Sequence, residues 1–174
     1  MSQSPNEFII HLPRPHAKQR SFVYSKAKRR IVRAGRRGGK TVGVSILAVE
    51  TFLAGKRVLY AAPTAEQIAR FWTTVTRSLD EPIKAGALRK NETEHLIEVA
   101  GTENRIRAKT AWNADTLRGD YADLLILDEW QLMDEDACLG YRIMKATAQI
   151  ISNRLTHTRI ILVGERGLSA LTEY

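Results

Sequence analysis

Short aliphatic runs and longer amphipathic stripes take turns along this chain. Arg30 to Ala34 reads as a short strand entering a glycine-rich turn, and Lys40 to Ala54 as a helix closed by Gly55. Arg57 to Ala62 is the next strand. Pro63 stops it, and Thr64, with Gln67 three residues on, forms a capping box for a helix running to about Ser78. Glu94 to Ala100 and Arg105 to Thr110 alternate apolar and polar residues around Gly101, as an antiparallel hairpin with one buried face does, and read as an insertion between core units. Leu124 to Leu127 is an unbroken aliphatic run between Asp123 and Asp128, the pattern of a central parallel strand buried on both faces. Arg159 to Val163 is a further strand. The alternation predicts an α/β fold, with a mostly parallel central sheet flanked by helices and carrying an inserted β-hairpin.

A length of 174 residues fits one domain, 1–174, with room for a real core. The single Cys138 makes no internal bridge, and His11, His16, His95 and His157 lack metal-ligand spacing, so the reading is a reducing setting without structural zinc. No apolar stretch is long enough to span a bilayer, and Pro5, Pro13 and Pro15 break up the N-terminal segment where a signal peptide would need a long apolar run. The net charge of +8 is unevenly placed: the first fifty residues hold eleven Lys or Arg against Glu7 and Glu50, and the rest sixteen against seventeen acids. A polyanion partner, nucleotide or DNA, would therefore meet the N-terminal third; the bland alternative is a solvated basic face.

Ala34 to Thr41 reads A-G-R-R-G-G-K-T, a phosphate-binding loop pattern with Ala34 where the first glycine is usual. Small residues at Gly35, Gly38 and Gly39 let backbone N–H groups close around phosphates, and the helix that follows presents its positive end. Lys40 would pair with the terminal phosphates and Thr41 would give its hydroxyl to Mg2+. Downstream, Leu124 to Glu129 resembles a Walker B motif: Asp128 would hold the metal, and Glu129 would orient and deprotonate the water that attacks the γ-phosphate of ATP. Arg36 and Arg37 add charge beside the phosphates; one can act in cis on the γ-phosphate, or both can pair locally or reach solvent. Trp72, Trp112 and Trp130 read as packing residues, and the alternating Arg105, Arg107 and Lys109 as a solvated strand face more readily than a phosphate contact.

From about Pro13 to Asp136 the order of motifs resembles the N-terminal ATPase domain of phage terminase large subunits. Lys18-Gln19, the arginine-bearing loop Ala34 to Thr41, the strand Leu59 to Thr64, the hairpin through Gly101, Thr116-Leu117-Arg118-Gly119, Asp123 to Glu129 and Gln131 to Asp136 carry the likeness. The resemblance implies a P-loop NTPase of the additional-strand, catalytic-glutamate type that uses ATP and Mg2+ to drive double-stranded viral DNA into a procapsid in the host cytoplasm. It implies a homo-oligomeric ring, with a portal protein and a small terminase subunit as partners and nonspecific contact to DNA. It also implies that Gln19 touches adenine and that Arg118 reaches a neighbouring subunit's nucleotide, unless Arg118 pairs with Asp120 or Asp123 in its own chain. After Asp136 the likeness fades: Ser152-Asn153 is a candidate coupling site, and no nuclease activity is expected. Two other readings stay open, a helicase or remodelling ATPase and a nucleotide-binding remnant or regulator without turnover.

Overall fold

A computed structural model describes residues 7–35, 37–111, 120–129 and 159–164. The first helix, α1 (Ala17–Val23), is too short to stand on propensity and begins with a capping box. The His16 side chain accepts the Gln19 N–H, and the Gln19 side chain accepts the His16 N–H. β1 (Arg29–Arg33) follows and leads through the glycine-rich turn into α2 (Lys40–Leu53). β2 (Val58–Ala62) runs to Pro63, and Thr64 and Gln67 make the expected capping box for α3 (Ala65–Ser78). A short α4 (Asp80–Lys84) precedes β3 (Arg89–Asn91), β4 (Leu96–Glu98) and β5 (Arg105–Thr110). β6 (Leu124–Asp128) and β7 (Arg159–Gly164) are the remaining described strands.

Among the described residues seven strands form one sheet in the order β1-β7-β6-β2-β5-β4-β3. The pairs β1–β7, β7–β6, β6–β2 and β2–β5 are parallel, and β5–β4 and β4–β3 are antiparallel. Thus β7 separates the strand that feeds the glycine-rich loop from the strand that ends in Asp128. The hairpin is no separate excursion: β5 pairs with β2 on one side and β4 on the other, so the inserted residues extend the main sheet. β4 is shorter than the sequence pattern predicts, because His95 takes a left-handed φ of 46° and the strand starts only after it.

α2 packs on α1, α3 and the sheet, so these helices share one sheet face. Val58, Tyr60, Ala62, Ile106, Ala108, Leu124, Ile126, Ile161 and Val163 meet them there in one core. Leu59, Ala61, Leu125 and Leu127 are buried too, although they stand outside that core, so β2 and β6 are covered on both faces as the aliphatic run predicts. α2 comes close to α1 at Gly43, where an added Cβ would lie 2.2 Å from the Phe22 ring. Trp72 is a packing residue: it is buried in α3, donates Nε1–H to Glu92 at 2.5 Å and meets the His95 ring edge-on. Trp112 and Trp130 lie outside the described residues.

β6 is the packing centre, which separates its side chains energetically from those of the edge. Ile126→Ala should lower unfolding stability by about 3 kcal/mol in urea denaturation. Ile31→Ala, on the exposed face of edge strand β1, should change it by less than about 0.5 kcal/mol.

Candidate active site

Parallel strands deliver their C-terminal ends to one edge of the sheet, and in open α/β sheets that edge is where ligands bind. Here β1 ends in the glycine-rich loop and β6 ends in Asp128 and Glu129. The loop turns back at once, with Gly38 N–H donating to Gly35 O at 3.1 Å. A Cβ on Gly38 would stand 3.1 Å from the Ala34 methyl and 3.0 Å from Gly35 O. This explains how alanine is tolerated at position 34: its methyl faces a glycine. Gly35, by contrast, has open space where a Cβ would point. Gly39 takes φ 72°, a left-handed conformation suited to glycine, and a Cβ there would strike Gln19 Nε2 at 2.6 Å. The N–H groups of the first turn of α2 then open toward the loop, a setting that favours an anion.

Lys40, only 7% exposed, folds back over this loop. Its Nζ donates to Ala34 O at 2.7 Å and lies 3.3 Å from Glu129 Oε1. Thr41 Oγ1 donates to Asp128 Oδ2 at 3.4 Å. Asp128 is 3% exposed and accepts two further hydrogen bonds, from the Tyr60 hydroxyl to Oδ2 at 2.8 Å and from the Glu129 N–H to Oδ1 at 3.0 Å. Burial pushes the Asp128 carboxyl above the usual carboxylate range, aided by the Glu129 charge, while the Tyr60 and Glu129 N–H hydrogen bonds and Lys40 pull the other way. Burial, then the Asp128 charge, raises the Tyr60 hydroxyl far above its ordinary range, so Tyr60 stays protonated and donates. Glu129 adopts φ 48°, a strained backbone for a residue with a side chain, costing about 1–3 kcal/mol. Strain of that kind clusters at functional positions.

Magnesium takes hard oxygen ligands, keeps several waters and needs one or two protein oxygens beside phosphate. Thr41 Oγ1 and the Asp128 carboxylate, meeting at 3.4 Å, are such a pair. Among the described residues no group of three His, Cys, Asp or Glu could hold a metal by itself, so a metal here would need the substrate's oxygens as well.

The structure thus brings Gly35, Gly38, Gly39, Lys40, Thr41, Asp128 and Glu129 to one edge. Arg37 is exposed on the loop with φ 60°. Gln19 is buried against the loop, and its Nε2 donates to Gly39 O at 2.7 Å while Oε1 serves the α1 cap. Its amide therefore braces the loop. Arg36 and Arg118 lie outside the described residues, as does Ser152-Asn153. Asp120 and Asp123, the local acids open to Arg118, both have partners among the described residues. Asp120 lies between Arg105, Arg107 and Lys109, and Asp123 accepts from the Arg57 N–H and Nε. The three β5 cations thus converge on a carboxylate rather than on solvent. Tyr60 is the residue that sequence reasoning missed.

A phosphate-type loop on one strand and an acid pair on another, with an extra strand between them, sit at one edge of a mostly parallel α/β sheet. The comparisons agree. The chain is similar to the large terminase ATPase domain of Thermus phage P74-26, with 21% identity, a TM-score of 0.72, and 92% of this chain and 68% of that one covered. It is similar to the large terminase of bacteriophage HK97, at 16% identity and a TM-score of 0.64, spanning 87% of this chain and 33% of that one. The large terminase of a thermophilic bacteriophage, in complex with ATP-gamma-S, matches at 17% identity and a TM-score of 0.55 over 85% of this chain and 37% of its own. No family model matches the sequence, and no curated protein does. The chain has the fold of phage large-terminase ATPase domains.

Gly39 and Gly55 allow a matched test, since both are left-handed, at φ 72° and 78°, but only Gly39 touches the loop brace. Alanine at either position should cost about 1–2 kcal/mol of stability. Gly39→Ala alone should also weaken binding of a fluorescent ATP analogue, by about tenfold or more; equal binding by the two variants would remove the Gln19 contact from the site.

Proposed function

We propose that this chain is the ATP-hydrolysing part of a large-terminase-like motor that drives double-stranded DNA into a viral procapsid. The observation that carries the reading is the meeting of Lys40, Thr41, Asp128 and Glu129, from two distant segments, within hydrogen-bond or ion-pair distance at the loop edge. In this reading Ala34 to Thr41 is the Walker A loop and Leu124 to Glu129 the Walker B strand. The loop N–H groups and Lys40 hold the phosphates, and Thr41 and Asp128 hold Mg2+, which when bound neutralises charge on the phosphate oxygens. Lys40 then exchanges its contact with Glu129 for the phosphates, and the freed carboxylate faces the attacking water. The water oxygen bonds to the γ-phosphorus, the bond to the β–γ bridging oxygen breaks, and the water proton passes to Glu129. Arg36 or Arg37 in cis and Arg118 from a neighbouring subunit would offset charge in the transition state.

The relatives' printed names extend the reading to partners: large terminases, and for a further neighbour the phage Phi-28 gp11 packaging motor, at 11% identity and a TM-score of 0.54. By the resemblance of the sequence motifs, the reading further takes the active form as a homo-oligomeric ring working in the host cytoplasm on DNA, with a portal protein and a small terminase subunit. Among the described residues no helix is long and apolar enough to cross a membrane.

The test is magnesium-dependent ATP hydrolysis across a range of chain concentrations. Specific activity should rise with concentration in the wild type and fall by at least about a thousandfold in Glu129→Gln, which should still bind ATP. Arg118→Ala should lower turnover and abolish the concentration dependence. Nucleotide binding without turnover in the wild type would favour the regulator reading instead.

A further inference from the structure

Tyr60 stands out on its sheet face. Val58 and Ala62 on the same strand, and Leu124 and Ile126 on the neighbouring one, are apolar and buried, as a core strand requires. A phenylalanine would fill the Tyr60 position equally well. Instead a hydroxyl is placed 2.8 Å from the Asp128 carboxylate by a fully buried ring. That ring cannot swing aside, because it stacks on Phe71 at a centroid distance of 3.8 Å with the planes 2° apart. Register explains the meeting: Tyr60 pairs with Ile126, and Asp128 is the next residue on that face of β6.

We propose that Tyr60 is a positioning residue for the metal end of this site, its hydroxyl fixing the Asp128 carboxylate in the orientation that receives the Thr41 hydroxyl. The inference rests on Thr41 and Asp128 being the magnesium pair, as read above. An aspartate carboxylate rotates in a broad torsional well, so its direction must come from its partners. Oδ1 accepts the Glu129 N–H, and Oδ2 accepts from both Tyr60 and Thr41. With its proton committed to Oδ2, the Thr41 oxygen presents its lone pairs away from the carboxylate, where a cation beside the phosphates would take them. Without the Tyr60 hydroxyl, the 3.4 Å contact from Thr41 would be the remaining side-chain hydrogen bond to Oδ2 among the described residues.

The test separates the metal from the nucleotide. Binding of a non-hydrolysable ATP analogue is measured by calorimetry in Mg2+ and again in EDTA, for the wild type and for Tyr60→Phe, which keeps the stack on Phe71. Tyr60→Phe should lose about ten- to a hundredfold of affinity in Mg2+ and stay within about twofold of wild type in EDTA. In an Asp128→Asn background the same substitution should have no further effect. Equal losses with and without metal mean a merely structural tyrosine and overturn the proposal, as does no loss at all. A wild type that gains nothing from Mg2+ overturns both this inference and the reading of the site beneath it, whereas a gain that survives Tyr60→Phe overturns the inference alone. Should Tyr60→Phe fail to fold, wild-type chain carrying 13C at tyrosine Cζ serves instead. The Tyr60 resonance should move when Mg2+ is added to the analogue-bound chain, and its remaining fixed would overturn the proposal.

Discussion

Burying a carboxylate at the end of an aliphatic strand is costly unless donors surround it, and Asp128 is placed in that way. Among the described residues its donors come from three places: Tyr60 on β2, Thr41 at the start of α2, and the N–H of its own neighbour Glu129. One charge therefore joins the second strand, the phosphate-type loop and the acid pair. The Glu129 backbone bends into a left-handed conformation while its N–H caps Asp128 and its carboxylate meets Lys40. Hydrophobic burial of β6 and the polar site at its end are two aspects of one element.

Much of this was legible because the chemistry restricts residue types. Glycines before Lys40 and Thr41, and acids after four aliphatics, point to phosphate and metal oxygens whatever fold surrounds them. The strands β1, β2, β5, β6 and β7 and the helices α2 and α3 were legible from period and punctuation. α1 was not, since its cap is a histidine rather than the usual serine or threonine, and it spans only seven residues. β3 was missed because Arg-Lys-Asn, exposed throughout, carries no apolar alternation. Tyr60 was hidden for the opposite reason. In Val-Leu-Tyr-Ala-Ala it looks like any core residue, and only the register against Ile126 puts its hydroxyl beside Asp128. Gln19 shows what likeness alone did not reveal: resemblance implied a base contact, and the structure adds a brace from its amide to Gly39 O.

The core and the site constrain their residues differently. Core positions on β2 and β6 need only be apolar and of suitable volume. The loop and acid pair are bound by geometry. Ala34 shows that even there a departure is tolerated when a neighbour, Gly38, leaves the space.

The place of β7 has a mechanical meaning. Because β1 and β6 each hydrogen-bond to β7 and not to each other, the backbones that carry the phosphate-type loop and the acid pair are joined through β7, and their direct link is made by side chains, Lys40 to Glu129 and Thr41 to Asp128. A relative displacement of the two backbones must shear one of the two ladders that flank β7. That strand is therefore the backbone path along which a strain at one of them reaches the other.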